Sequence, residues 1–522
     1  MPALKTFLLS LAVAMVVDSD DVMAADTLLY RSPYEARILN SEEAEADFLA
    51  LFLAVNSDSA SYLKYSSSLA HFLSSLDPKV EIAKGGKRKA KVIFKEVHDY
   101  FFRQYQENVL FERIFDVGTY NCLTASMLYS LVLDRYGIPF EVKEKPTHVY
   151  LVAYPGSDNI LFETTSPKGF FVLDEKAKRE YVAGLVAMKL TTQEYVNSIG
   201  AANAFNEFYY SNQNISLRQL AGLQYFNLAV ESYESGDKDD AIMNAMKATL
   251  LYPCTKNMFL KMSLIREVLA NSDYESLTHI AYLAEFANSS QDTQDKKYVL
   301  GVFGDMLNTK LIKKSNESFV SRAYGVLNDR IKDKELRNEV TYNYELSMTN
   351  WYSMKGDMDS ALVYAERVYV QNPNDVRIHD LVARSLALKT EKWKGDTKAI
   401  ETLHTYEQKF PFLNNNNLFR TIVVYQYAAR AYSLFTQNAG IEGNECLQRV
   451  EKTIDELGGC PMMMEQLIAF AYAEAGAFHF RQRQYARAKE ILRRGLEIVP
   501  DHGELKERLK IVEEEEVRIS RR

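Results

Sequence analysis

Three segments in the last two-thirds of this 522-residue chain share one spacing of small residues and proline. The sets are Ala241, Ala248 and Pro253; Ala361, Val368 and Pro373; and Ala488, Gly495 and Pro500. In each, a small residue is followed seven positions later by another small or short one, and five positions after that by proline. Gly236 and Gly356 precede the first small residue of their sets by five. Aromatic residues stand upstream at Tyr225, Trp351-Tyr352 and Tyr472. Small residues let two helices approach closely, and proline ends the second helix of a pair. This pattern predicts helical pairs, each needing a neighbour to cover its apolar face.

These segments resemble tetratricopeptide repeats. The resemblance implies a C-terminal α-solenoid over about residues 215–522, whose concave face binds a peptide or another protein. Residues 257–270 and 276–288 read as divergent helices between the clear copies. Residues 505–522, with the acidic run Glu513 to Glu516, read as a polar capping helix. Lys394-Gly395-Asp396 and the segment Phe412 to Asn417 read as loops between helices, the asparagine run as a flexible one.

The chain before the repeats, about residues 26–200, carries a different signal. Gly118-Thr119-Tyr120-Asn121-Cys122-Leu123-Thr124-Ala125-Ser126 is followed by His148 and then Glu163. A thiol, an imidazole and a carboxylate are the parts of a nucleophilic acyl-transfer site. Leu123, Met127, Leu128, Leu131, Val132 and Tyr136 recur at helical spacing, and Gly137-Ile138-Pro139 closes the helix. Cys122 then falls in the first turn, where unpaired backbone N–H groups and the helix dipole favour a thiolate. Residues 140–144, 148–154 and 160–164 read as strands, with a dense turn signal at Pro155 to Asn159. A hairpin with that loop returns Glu163 beside His148, where the carboxylate holds the ring while the ring takes the thiol proton. Singly, a cysteine on an apolar helix or a histidine on a strand is more often structural. Their joint placement is what favours chemistry.

The same residues resemble the core of the transglutaminase-like superfamily, most closely its bacterial branch. Tyr120-Asn121-Cys122 at a helix start, Pro146-Thr147-His148-Val149-Tyr150 and Phe162-Glu163-Thr164-Thr165 carry the likeness, over about residues 95–175. It implies an α+β papain-like core within a mainly α chain, with Cys122 as nucleophile, His148 as base and Glu163 as orienting acid. The departure is at the acid. Many relatives have Asp followed by Pro, whereas this chain has Glu163-Thr164, with a longer reach. The Cys122 backbone N–H is the expected oxyanion donor, with Tyr120 or Gln106 as candidates for a second.

Hydrophobic residues make up 47% of the chain and charged ones 25%, as in ordinary globular proteins. A formal net charge of −8 argues against a nucleic-acid partner. The basic cluster Lys84, Lys87, Arg88, Lys89 and Lys91 reads as a solvated loop leading into a helix. Lys5, the apolar run from Thr6 to Val17 and Val22-Met23-Ala24 read as a signal peptide over residues 1–24, hence a periplasmic or secreted protein. No later segment is long and apolar enough to suggest a membrane span. Cys122, Cys254, Cys446 and Cys460 are too few and scattered for a disulfide framework or zinc site, with a Cys446–Cys460 bridge left open. His148 and Glu163 lack a second histidine at ligand spacing, so neither metal nor cofactor is expected. Helices are expected over 42–53, 59–76 and 91–105, packed against the Cys122 core.

Two functions follow. The first is acyl transfer or amide hydrolysis through a Cys122 thioester, on a peptide or protein docked by the repeats. The second is a non-catalytic interaction scaffold whose thiol domain is a relic. The oligomeric state is not written in the sequence.

Overall fold

A computed structural model of the chain describes residues 29–520, apart from 41–46, 57, 146–147, 166–169, 173–175, 177, 180–181, 184–185, 187–190, 211–212 and 291. The expected signal peptide lies outside the described residues. The fold is mainly helical with a small sheet content. It divides into two compact units: one runs to Val299 and includes Gly325–Ile331, and the other comprises Leu300–Tyr324 and Lys332–Arg522.

In the first unit, five strands form an antiparallel sheet. They are β3 (Phe140–Lys145), β4 (His148–Ala153), β5 (Ile160–Phe162), β6 (Phe170–Val172) and β7 (Gln213–Ile215), in the order β6-β5-β4-β3-β7. Val149, Leu151, Ala153, Ile160 and Phe162 join one core with Leu123, Met127, Leu128 and Val132 of the Cys122–Arg135 helix. Tyr150, Val152 and Leu161 pack in a second cluster with Val182, Val196, Ala204 and Phe205. With both faces covered, β4 is nearly all apolar instead of alternating.

The Ser59–Ile82 and Gly86–Phe101 helices pack on the same core through Phe72, Leu76, Phe94 and Val97. The second of these ends short of the expected residue 105. Gln104 and Tyr105 instead form β1, pairing in parallel with Thr119 and Tyr120 of β2. Their backbone finds a strand partner because Gly118 allows a close approach at φ +74. A Cβ there would lie 2.2 Å from Cγ of Arg103.

The first repeat pair, Leu217–Glu234 and Lys238–Leu251, buries Leu220, Leu223, Tyr225 and Leu251 in the core that holds the Cys122 helix. Gly222 permits this pair to close, since a Cβ there would lie 2.8 Å from Cβ of Tyr252. The side chain of Gln224 accepts from the Phe111 backbone N–H at 3.0 Å and donates to the Phe52 carbonyl at 3.0 Å. Burial against the thiol core therefore places this pair in the first unit, although its sequence pattern is that of the later repeats. Glu35 and Lys247 form a fully buried ion pair at 2.9 Å, and Tyr225 donates to the same Glu35 oxygen at 2.8 Å.

In the second unit, consecutive helices pack in pairs. Examples are Lys334–Lys355 with Met358–Gln371, Asn417–Thr436 with Gly440–Leu457, and Glu465–Arg481 with Tyr485–Ile498. Ala361, Val368 and Ala488 are fully buried, and a Cβ on Gly495 would lie 2.8 Å from Cβ of Tyr472. The turns of the three sequence copies share one conformation. Gly236 has φ +90 and Gly356 φ +81, and Arg483, at the matching position, adopts φ +59 without being glycine.

The asparagine run is not a loop throughout. Pro411–Asn415 forms a 3-10 turn, and Asn416 caps the next helix by accepting from the Phe419 N–H at 2.9 Å. The terminal helix Gly503–Ser520 ties its acidic run to the preceding helix, Glu513 pairing with Arg493 at 2.8 Å and Glu516 with Lys489. Cys446 and Cys460 are free thiols, both pushed up to about 11 by burial.

Candidate active site

Cys122 is the first residue of its helix because Asn121 and Thr124 cap each other. The Asn121 side chain accepts from the Thr124 N–H at 2.8 Å, and the Thr124 hydroxyl accepts from the Asn121 N–H at 3.0 Å. Asn121 also donates to the Glu107 carbonyl at 2.8 Å, fixing the approach of the chain to the helix. The half-buried Cys122 thus sits where the first N–H groups have no intrahelical acceptor.

The strands reach the same place from the other side. His148 is the first residue of β4, opposite Lys145 in β3. Glu163 directly follows β5, whose Phe162 pairs with Leu151. One further step of that register sets Glu163 opposite Tyr150, on the strand face that also carries His148. The His148 ring stacks on Tyr150 at 6.0 Å and 19°. Its Nε2 lies 2.8 Å from Oε1 of Glu163 and 3.0 Å from Oε2, and Thr165 donates to Oε1 at 3.0 Å. The thiol also acts on this ring, since Cys122 raises the His148 imidazole together with Glu163.

Electrostatics follow these contacts. The His148 imidazole is pushed up to about 9 by its hydrogen bond with Cys122 and then by that with Glu163, against burial, which acts the other way. Burial alone would raise the Glu163 carboxyl, but hydrogen bonds from His148 and Thr165 hold it below the ordinary carboxylate value. Burial lowers the nearby Lys145 ammonium, partly offset by Glu163. Thr164 donates to the Cys122 carbonyl at 3.3 Å, and Ser126 to the Val149 carbonyl at 3.4 Å, so helix start and strand ends are joined directly.

All three residues singled out in the sequence meet at this point. The two candidates for a second oxyanion donor have contacts of their own. Gln106 donates its amide to the Asn108 carbonyl at 3.2 Å, and Tyr120 stacks on Phe102 at 4.4 Å. Asn121, Thr164, Thr165 and Ser126 join the site through their hydrogen bonds, without a chemical role legible in the sequence. The Asn-x-x-Thr spacing at the helix start signals the capping pair, whereas nothing local distinguishes Thr164 and Thr165.

Beside the helix start lies a cavity of about 480 Å³, lined among others by Gln106, Leu110, Glu112, Leu123, Gln224 and Glu231. Among the described residues, no group of three or more His, Cys, Asp or Glu could hold a metal ion, and no helix is long and apolar enough to cross a membrane. No family model matches this chain, and no curated protein matches it significantly.

Proposed function

We propose that the first unit contains a papain-like, transglutaminase-like thiol domain that performs acyl transfer or amide hydrolysis on a peptide or protein. The observation that carries this reading is the line of contacts from Cys122 at a helix start to His148 and on to Glu163. In the first step His148 takes the thiol proton, and the sulfur attacks the amide carbonyl carbon. The charge that develops on the carbonyl oxygen is met by the Cys122 N–H. Collapse breaks the C–N bond, and the leaving amine takes its proton from the imidazolium, leaving a thioester on Cys122. Water or a second amine then attacks the thioester with His148 as base. Throughout, Glu163 keeps the ring oriented and balances its positive charge.

The helical pairs form, in the same reading, a tetratricopeptide-like solenoid that docks the protein or peptide substrate. Export to the periplasm or exterior completes it and rests on the pattern of residues 1–24.

An electrophilic amide-mimic probe in native extract, followed by mass spectrometry, tests the thiol chemistry. The expected adduct forms on Cys122 and forms far more slowly in His148→Ala. Labelling of Cys254 as fast as Cys122 would overturn the reading.

A further inference from the structure

The cavity beside the Cys122 helix is built from three sources. The chain between β1 and β2 supplies Gln106, Leu110, Glu112 and Arg113; the thiol helix supplies Leu123; and the first repeat helix supplies Gln224 and Glu231. Cys122 itself does not line it, but Leu123, the next residue of the same helix, does. The cavity thus adjoins the first turn of the helix that carries the sulfur. The floor is fixed, because both ends of the Gln224 amide are committed to backbone partners.

The wall is electrostatically incomplete. Oε2 of Glu112 is buried and has no hydrogen-bond partner. Its nearest carboxylate neighbour on the same segment, Asp116, is already engaged by Lys64 at 2.6 Å and Tyr65 at 2.9 Å. Glu231 adds a second carboxylate to the lining, against one guanidinium, Arg113. A buried carboxylate oxygen without a donor is costly, and an arriving cation removes that cost. Burial accordingly pushes the Glu112 carboxyl up, against a hydrogen bond from its own backbone N–H, with Asp116 adding to the rise and Arg113 opposing it.

We propose that this cavity is a substrate subsite for the side chain next to the attacked bond, and that Glu112 makes it select an ammonium or guanidinium group. The link to the attacked bond rests on the thiol reading above; the charge selectivity of the cavity does not.

The test uses the full chain and short peptides ending in an acyloxymethyl ketone, with Arg, Lys, norleucine or Glu beside the electrophile or one position further. Labelling rates of Cys122 are divided by the iodoacetamide rate of the same variant, which removes differences in the thiol itself. Arg and Lys probes should label about tenfold faster than norleucine, and Glu112→Gln should erase most of that ratio. Equal normalised rates for charged and neutral probes would overturn the subsite. A second arm uses Cys122→Ala with the unreactive amides of the same peptides, followed by fluorescence anisotropy. A preference for Arg and Lys that Glu112→Gln abolishes supports the pocket even if the thiol proves unactivated. Equal affinities, or a preference indifferent to Glu112→Gln, would refute it.

Discussion

Glu163 sets both carboxylate oxygens against Nε2 of His148, at 2.8 and 3.0 Å. The two residues are not directly opposite across the strands: the register places Glu163 opposite Tyr150, and the contact to His148 is diagonal. A glutamate spans that offset, and Thr165 steadies one of its oxygens. The extra methylene is thus a geometric fit to this hairpin.

The diagonal contact makes the length of the acid matter as well as its charge. In iodoacetamide labelling at pH 6, His148→Ala should slow Cys122 by about a hundredfold, the lower end of general-base effects. Glu163→Ala should slow it less, and Glu163→Asp should fall between Glu163→Ala and the parent. An aspartate variant as fast as the parent would contradict the reach argument.

Stability should depend on pH through His148. Its folded value, about 9, lies above the ordinary 6.5, so the folded state holds the proton more tightly than the unfolded chain. That contribution is fully present below about 6.5 and is lost as pH rises through about 9. Urea unfolding of the first unit, followed by hydrogen exchange between pH 6 and 9.5, checks this. The gap between parent and His148→Ala should narrow with rising pH, and Cys122→Ala should shrink it from the outset.

Lys247 and Glu35 are both fully buried, and burial holds the Lys247 ammonium down despite its partner. Removing one charge strands the other. Lys247→Met should destabilise the first unit by about 3 kcal/mol, and adding Glu35→Gln should recover part of that loss. Both tryptophans, Trp351 and Trp393, lie in the second unit. The loss should therefore appear in hydrogen exchange of the first unit, and tryptophan fluorescence follows the second.

Arg483 holds the left-handed turn conformation that Gly236 and Gly356 hold in the other two copies. A side chain there costs about 1 kcal/mol, part of which glycine returns as flexibility of the unfolded chain. Arg483→Gly should raise the melting temperature of the second unit by about 1–3 °C. Gly356→Ala should lower it by a similar amount, both read by tryptophan fluorescence.

Local patterns in the sequence determined a good deal. The spacing of Ala361, Val368 and Pro373 marks a buried small-residue seam and a helix end, because close helix approach tolerates few side chains. The apolar steps after Cys122 and the Asn121–Thr124 cap fix where that helix begins, since capping and periodicity act within a few residues. The strands from Phe140 to Phe162 are legible for the same reason.

Tertiary structure decided the rest. Gln104 and Tyr105 form a strand where helix was expected because Gly118 lets β2 lie alongside, a contact that no local signal carries. The repeat pair at Leu217–Leu251 belongs to the thiol unit because its apolar face is covered there, whatever its pattern. Most tellingly, Tyr150 packs in the cluster away from the Cys122 helix, while Val149 and Leu151 face that helix. A histidine in the middle of that face would be walled off from the sulfur by the sheet itself. His148 reaches Cys122 because it stands at the very end of β4, where the helix start crosses the strand ends. Sequence supplies the thiol, the ring and the carboxylate; only the packing of helix against sheet edge makes them one site.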